Sequence, residues 1–435
     1  MIGLMATILI DTSIVKIYEI VDKDFLSSQG KVIVYSINSS LCLLLQFFII
    51  RYIKRSFERD RLTKTLKIKG FYMISLTSLF VLTTLIGFLI FQQFYYNHYI
   101  TSVTILIITI SYGIAAAFII WLSLLFFSWF RSNHNLIVFL YFISMLVIAF
   151  NLIMTAAFGC AKVSDRPSQI GVYVGGGGDI SGGRHILLGN IYRISSFMSF
   201  FSIWITTAIL MNYYREKLTN AIIYWIILSI PLVYFLITYF YQFILGRTLI
   251  SYVEVDPVTV SIILSAFLSL SKPIGGLIFG AAFWKISKII SYERNIKTYM
   301  IISGWGIFLI FAANQAVAQM TTPYPPFGLA TLTVLNIAAY LMLLGIYNSA
   351  TLVSANNNLR KSIRKHALES RLLDLIGRAE MEKEIQKTVK EITQDAQDKG
   401  KLETDTEQQP IELDEKELKK YVELVIREVR KERPF

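Results

Sequence analysis

The sequence predicts an all-α protein, a polytopic transmembrane helix bundle of about nine spans followed by a cytoplasmic amphipathic helical tail. Three observations carry that expectation. Of 435 residues, 54% are hydrophobic and only 17% charged, against about 25% charged in an ordinary soluble domain. Apolar residues gather in runs long enough to cross the roughly 30 Å hydrocarbon core of a bilayer. Lys and Arg crowd into alternate connections between those runs. With a mean hydropathy of +0.54, charge is too sparse to cover a water-facing surface. That excludes a soluble enzyme, a disordered scaffold and a disulfide-built secreted domain.

Residues 1–31 open the chain. Met1 to Ile10 is apolar, but no basic residue precedes it and Asp11 interrupts it. A signal peptide needs a positive leading segment and a cleavage site of small residues, and a span needs about 20 residues. The expectation is a short outer segment lying at the surface or along the interface.

The bundle occupies 32–353. Its apolar runs fall at 32–50, 71–93, 100–128, 136–159, 195–213, 221–244, 257–283, 298–319 and 328–353. Hydrocarbon offers no partner to backbone N–H and C=O groups, so such runs are helices or closed barrel strands. Their length and lack of period-2 alternation select helices. The first run is interrupted by Asn38, Ser39 and Ser40.

Orientation follows from the basic residues. The connection after the first run holds Arg51, Lys54, Arg55, Arg59, Arg61, Lys64, Lys67 and Lys69. Those after the third, fifth and seventh hold Arg131, then Arg215 and Lys217, then Lys285, Lys288, Arg294 and Lys297. The opposite loops carry Asp165, Asp179, Glu254 and Asp256. The expected location is the cell membrane, with the amino terminus outside and the carboxyl tail in the cytoplasm. From residue 355 onward 18 basic and 18 acidic residues cancel, so the net +12 belongs to residues 1–354. Attraction to anionic lipid, about 1 kcal/mol per basic residue near the surface, accounts for it without nucleic acid.

None of the acidic residues before 355 falls inside an expected span. Proton-driven carriers route protons through intramembrane carboxylates or histidines, so this pattern argues against one. Lys272 does sit deep, in Ser271-Lys272-Pro273-Ile274-Gly275-Gly276, roughly 18 Å of helix rise from Trp284. Pro273 removes a backbone donor, and Gly276 with Gly280 makes a GxxxG spacing suited to close helix contact. The candidate intramembrane polar site therefore comprises Lys272, Pro273, Gly275 and Gly276 with the amides Asn151, Asn314, Gln315 and Gln319. Ordinary interhelical hydrogen bonding explains the amides equally well.

Little else points to chemistry. Cys42 and Cys160 make no paired metal or redox spacing, and His98, His134, His185 and His366 fall at run ends or in the tail. No metal, catalytic set or cofactor is expected. Glycines 175–178 lack the lysine and hydroxyl ending of a phosphate-binding loop, and Thr321–Phe327 is stiffened by three prolines.

The tail reads as a charged helix at 354–398, a linker at 399–411 and an amphipathic helix at 412–435. Leu359, Ile363, Leu373, Ile385, Val389 and Ile392 share a face of the first helix, widened by Leu368, Leu372 and Ile376. Leu418, Tyr421, Val422, Val425 and Val429 recur at helical spacing in the second, after a capping-box-like Asp414 and Glu417. Such stripes need each other, a second copy, the basic collar or another protein to cover them, for instance as a coiled coil. Besides membrane lipid, self-association or a cytoplasmic protein bound through 359–430 is the expected partnership. The leading expectation is a non-enzymatic membrane protein coupling its bundle to cytoplasmic assembly or signalling. The alternative is a channel or carrier for a small or anionic solute, using the kinked span around Lys272.

Overall fold

The computed structural model describes residues 1–20, 28–59, 66–164, 183–217, 221–244, 270–289, 294–314, 325–356, 359–360, 363 and 371–403. Within them the chain forms α1 (Ile2–Ile20), α2 (Ser28–Arg59), α3 (Leu66–Tyr96), α4 (Thr101–Ser132) and α5 (Leu136–Ser164). It continues with α6 (Gly183–Lys217), α7 (Ala221–Ile244), α8 (Ser271–Ile289), α9 (Arg294–Ala313), α10 (Leu329–Ala355) and α11 (Arg371–Glu403). No strand occurs among the described residues.

Among the described residues, seven helices hold a stretch long and apolar enough to cross a membrane: Gln29–Arg55, Lys69–Tyr96, Thr101–Ser132, Leu136–Ser164, Leu187–Asn212, Asn295–Ala313 and Leu329–Ala355. An all-helical bundle with these stretches fits an integral membrane protein. The other two expected spans correspond to α7, apolar over Tyr224–Ile237 with Pro231 inside it, and to α8. Residues 257–269 of the expected 257–283 span lie outside the described residues. The helix through 195–213 starts earlier than its apolar run, at Gly183. Arg184, His185 and Arg193 end the hydrophobic signal but not the helical backbone.

α10 is the centre of the bundle. Its membrane-length stretch is wholly buried, and α1, α2, α3, α4, α9 and α11 all pack on it. Small residues let the backbones approach. A Cβ placed on Gly306 of α9 would come within 2.6 Å of the Met342 backbone nitrogen in α10. A Cβ on Gly280 of α8 would stand 2.6 Å from the Gly304 carbonyl oxygen in α9. Hydrocarbon supplies no hydrophobic force between apolar helices, so this close packing and a few polar contacts hold them together. Gln46 donates to Thr333 Oγ1 at 2.7 Å, Asn336 Nδ2 donates to Ser78 Oγ, and Ser144 and Thr206 share a hydrogen bond of 2.8 Å. Outward faces carry large apolar groups such as Phe80 on α3 and Ile222 on α7.

α4 and α5 form a hairpin across a short turn. Asn135 Oδ1 accepts from the Ile137 N–H at 3.0 Å, a side-chain cap for the start of α5. The turn into α10 is made by Gly328 at φ 90°, a conformation that suits a residue without a Cβ. Glycine has no side chain to cap the helix it introduces. The cap comes from α1 instead: Asp11 Oδ2 accepts from the Thr331 backbone N–H at 3.3 Å and from its hydroxyl at 2.6 Å. The opening segment, expected at the surface, is thus a helix with Leu4, Thr7, Ile8 and Asp11 buried against the bundle.

Candidate functional site

The tail meets the bundle at the Arg131 end. Along α11, Leu372, Leu373, Ile376, Ala379 and Glu380 are buried, and the helix packs on α10, α4 and α5. Residues three, four and seven apart share a helix face, so these side chains form one stripe. Gly377 lies against Val353 of α10, where a Cβ would fall 2.7 Å from the valine Cβ. Arg378 donates to Asp374 at 3.0 Å on the flank of the stripe.

Its most buried polar anchor is a hydrogen bond from α4. Trp129, fully buried near the end of α4, donates its indole N–H to Glu380 Oε2 at 2.6 Å. Phe126 meets the Trp129 ring edge-on at 5.2 Å and stacks on Tyr141 of α5 at 5.3 Å. A carboxylate at 7% exposure is costly unless a donor faces it, and the indole supplies that donor. One turn further on, burial pushes the Glu384 carboxyl up from the ordinary glutamate range, and the Glu380 charge adds to the rise. Ser354 and Lys387 oppose it. Burial ends there: Ile385, expected on the covered face, is 36% exposed. Leu418, Tyr421, Val422, Val425 and Val429 lie outside the described residues, as does His366.

The intramembrane candidates separate into two groups. Asn314 Nδ2 donates to Asn151 Oδ1 at 2.8 Å, and Asn151 Nδ2 donates to Ser195 Oγ at 3.0 Å. This chain joins α5, α6 and the end of α9 inside the bundle. Lys272 reaches elsewhere, its Nζ 5.5 Å from the centre of the Tyr192 ring. Tyr192 stacks on Phe158 at 5.1 Å, and Lys162 stands over Phe158 at 5.9 Å. Two ammonium groups therefore lie over a stacked pair of rings, an arrangement that favours cations over π-faces.

Pro273 lies in the first turn of α8, where its missing N–H costs no intrahelical bond. With Leu270, Ala312, Met5 and Ile8 it lines a small, mainly apolar cleft. Gly275 faces Phe200, while Gly276 and Gly280 let α8 close on α9. Gln315 and Gln319 lie outside the described residues.

No protein-family model matches this chain, and neither the curated proteins nor the solved structures give a match. Function has to be argued from the site itself.

Sequence reasoning missed Trp129 and its acceptor Glu380, and it missed Asp11. Glu380 falls four residues after Ile376 and seven after Leu373, so a carboxylate on the apolar face was visible in the spacing. Asp11 follows an apolar decapeptide, and nothing in its neighbourhood reveals that the start of α10, 320 residues away, receives it. Among the described residues no group of three or more His, Cys, Asp or Glu could hold a metal ion.

Proposed function

We propose that this chain is a non-enzymatic integral protein of the cell membrane that couples a nine-span bundle to cytoplasmic assembly or signalling through its tail. In this reading the amino terminus is outside and the tail cytoplasmic. The observation that carries the proposal is the Trp129–Glu380 contact, which fixes the tail helix to the bundle by a buried polar bond. α11 rests on α10, α4 and α5 together, so a shift of one of these relative to another alters the surface that α11 covers. The contact at the carboxyl ends of both α4 and α10 fits the third and ninth spans running in the same direction.

With 372–380 covered by the bundle, the partner surface is assigned to the later tail, including Leu418, Tyr421, Val422, Val425 and Val429. Its occupant is a second copy or a cytoplasmic protein. A photo-crosslinking residue at Val422 of the full chain, activated in intact membranes, tests this. Capture of a second copy or of a reproducible cytoplasmic protein is expected, and capture of lipid alone contradicts the reading.

A channel or carrier for a small or anionic solute remains the second reading. Asn314 supports it, because its Oδ1 is buried with no hydrogen-bond partner among the described residues. Solute flux into vesicles that is unchanged in Lys272→Met and Asn314→Leu would remove that reading.

A further inference from the structure

The tail is neutral only on average. Residues 404–417 hold Asp405, Glu407, Glu412, Asp414, Glu415 and Glu417 against Lys416 alone, a net −5 in fourteen residues. Residues 51–69 are their opposite, with eight Lys or Arg and two acids, a net +6. No other stretch of nineteen residues in the chain has so large a positive excess.

The structure brings this basic block to the end of the bundle where α11 sits. Cys42 Sγ meets the Ala330 carbonyl oxygen at 3.6 Å and Gln46 meets Thr333 at 2.7 Å, so α2 runs parallel to α10. Ser78 meets Asn336, Phe71 packs on Phe118 at 5.9 Å and Phe118 on Tyr340 at 6.0 Å, so α3 runs antiparallel to α10. Both helices therefore carry their basic ends towards Val353, the residue of α10 that lies under Gly377. Arg51, Lys54, Arg55 and Lys69 are exposed there. Lys54 stands over the Tyr72 ring at 5.5 Å and joins the two helices into one surface.

The acidic segment is long enough to reach it. α11 carries the chain about 39 Å from Gly377 to Glu403. The fourteen residues that follow span up to about 50 Å when extended. Because the segment is tethered, its encounter with the collar is intramolecular and its effective concentration is set by the linker.

We propose that the exposed collar of α2 and α3 docks the chain's own acidic segment, residues 404–417. Exposed ion pairs are individually weak, so the contact is a salt-sensitive clasp made by many charges together. It gathers Leu418 and the stripe behind it beside the bundle rather than at the far end of α11. The clasp does not depend on what that stripe binds. Capture of a partner at Val422 can succeed without the clasp, and the clasp can form without a partner.

The test is carbodiimide coupling, which joins a lysine amine to a carboxylate in contact with it, on the full chain in neutral phosphatidylcholine nanodiscs. Mass spectrometry is expected to find Lys54 or Lys69 joined to carboxylates of 404–417. In an equal mixture of light and heavy isotope-labelled chains, both halves of each adduct should carry the same label. Raising salt from 0.1 to 1 M, which shortens the screening length from about 10 to 3 Å, should lower the yield several-fold. Arg51→Gln with Arg55→Gln keeps both reactive lysines and should lower it roughly threefold, the order that two exposed ion pairs supply. Adducts should persist when phosphatidylserine is added. Absence of collar adducts in neutral discs overturns the clasp, as does a yield indifferent to salt and to the arginine variant. Adducts of mixed label assign the collar to a second copy, and adducts lost to phosphatidylserine assign it to lipid; either result overturns the proposal.

Discussion

Replacing Trp129 by Phe isolates the bond that holds the tail to the bundle. Phenylalanine keeps an aromatic ring against Phe126 but removes the indole N–H that faces Glu380 Oε2 at 2.6 Å. A hydrogen bond to a charged group contributes about 1.5–3 kcal/mol. Glu380 retains 7% exposure, which gives water some access to the orphaned oxygen and places the cost at about 1.5–2 kcal/mol. Local opening of α11 then becomes roughly ten- to thirty-fold more frequent. Amide hydrogen exchange in nanodiscs reads this directly, as a fall of that size in the protection of residues 372–380. Glu380→Gln keeps an acceptor for the indole and should lose less. Protection within twofold of wild type in Trp129→Phe refutes the reasoning. So does an equal loss throughout α4 and α5, because that would report failure of the bundle rather than release of the tail.

Gly377→Leu should free α11 more completely, since a Cβ at that position already overlaps Val353; protease cleavage within 371–380 should accelerate while the bundle stays intact. Gly306→Val should separate α9 from α10, because the added carbons meet Met342 and Ala338 backbone atoms. Overpacking of that kind costs about 3 kcal/mol or more, read as a lower melting temperature and a loss of monodispersity. Docking of α11 should tighten on acidification. The folded-state pKa of Glu384 is raised above its ordinary value of 4.5, so the docked state binds more protons and loses stability as pH rises through that window. Protection of 372–380 should therefore increase as pH falls from 7 towards 4.5, and Glu384→Gln should flatten the dependence.

Hydropathy made the spanning helices legible because bilayer thickness imposes a length that soluble helices do not need. α4, α5 and α10 follow their apolar runs to within a few residues, except that α4 and α5 continue to Ser132 and Ser164. α6 does not, because Arg184, His185 and Arg193 near its beginning reduce hydropathy without breaking the helix. The place of α10 at the centre was not legible. Its composition resembles that of α4, and what distinguishes it once folded is that six helices pack on it and bury its membrane-length stretch. Asn151 and Asn314 could be named from sequence as intramembrane amides, but their pairing across 163 positions is a product of packing. Lys272 was legible as unusual and not as a partner of Tyr192, since an aromatic face gives no sequence signal for the cation it receives. The tail stripe needs a cover, and the bundle covers its first part. Charge balance and helical period describe a face but do not name what lies against it.

The central claim is that the first part of the tail helix is seated on its own bundle. A photo-crosslinking residue at Leu373, activated in intact membranes and mapped by mass spectrometry, tests it most directly. Adducts within the same chain, on peptides containing Val353 or the end of α4 near Trp129, are predicted. Adducts dominated by another protein or by a second copy, with none on those peptides, would contradict it.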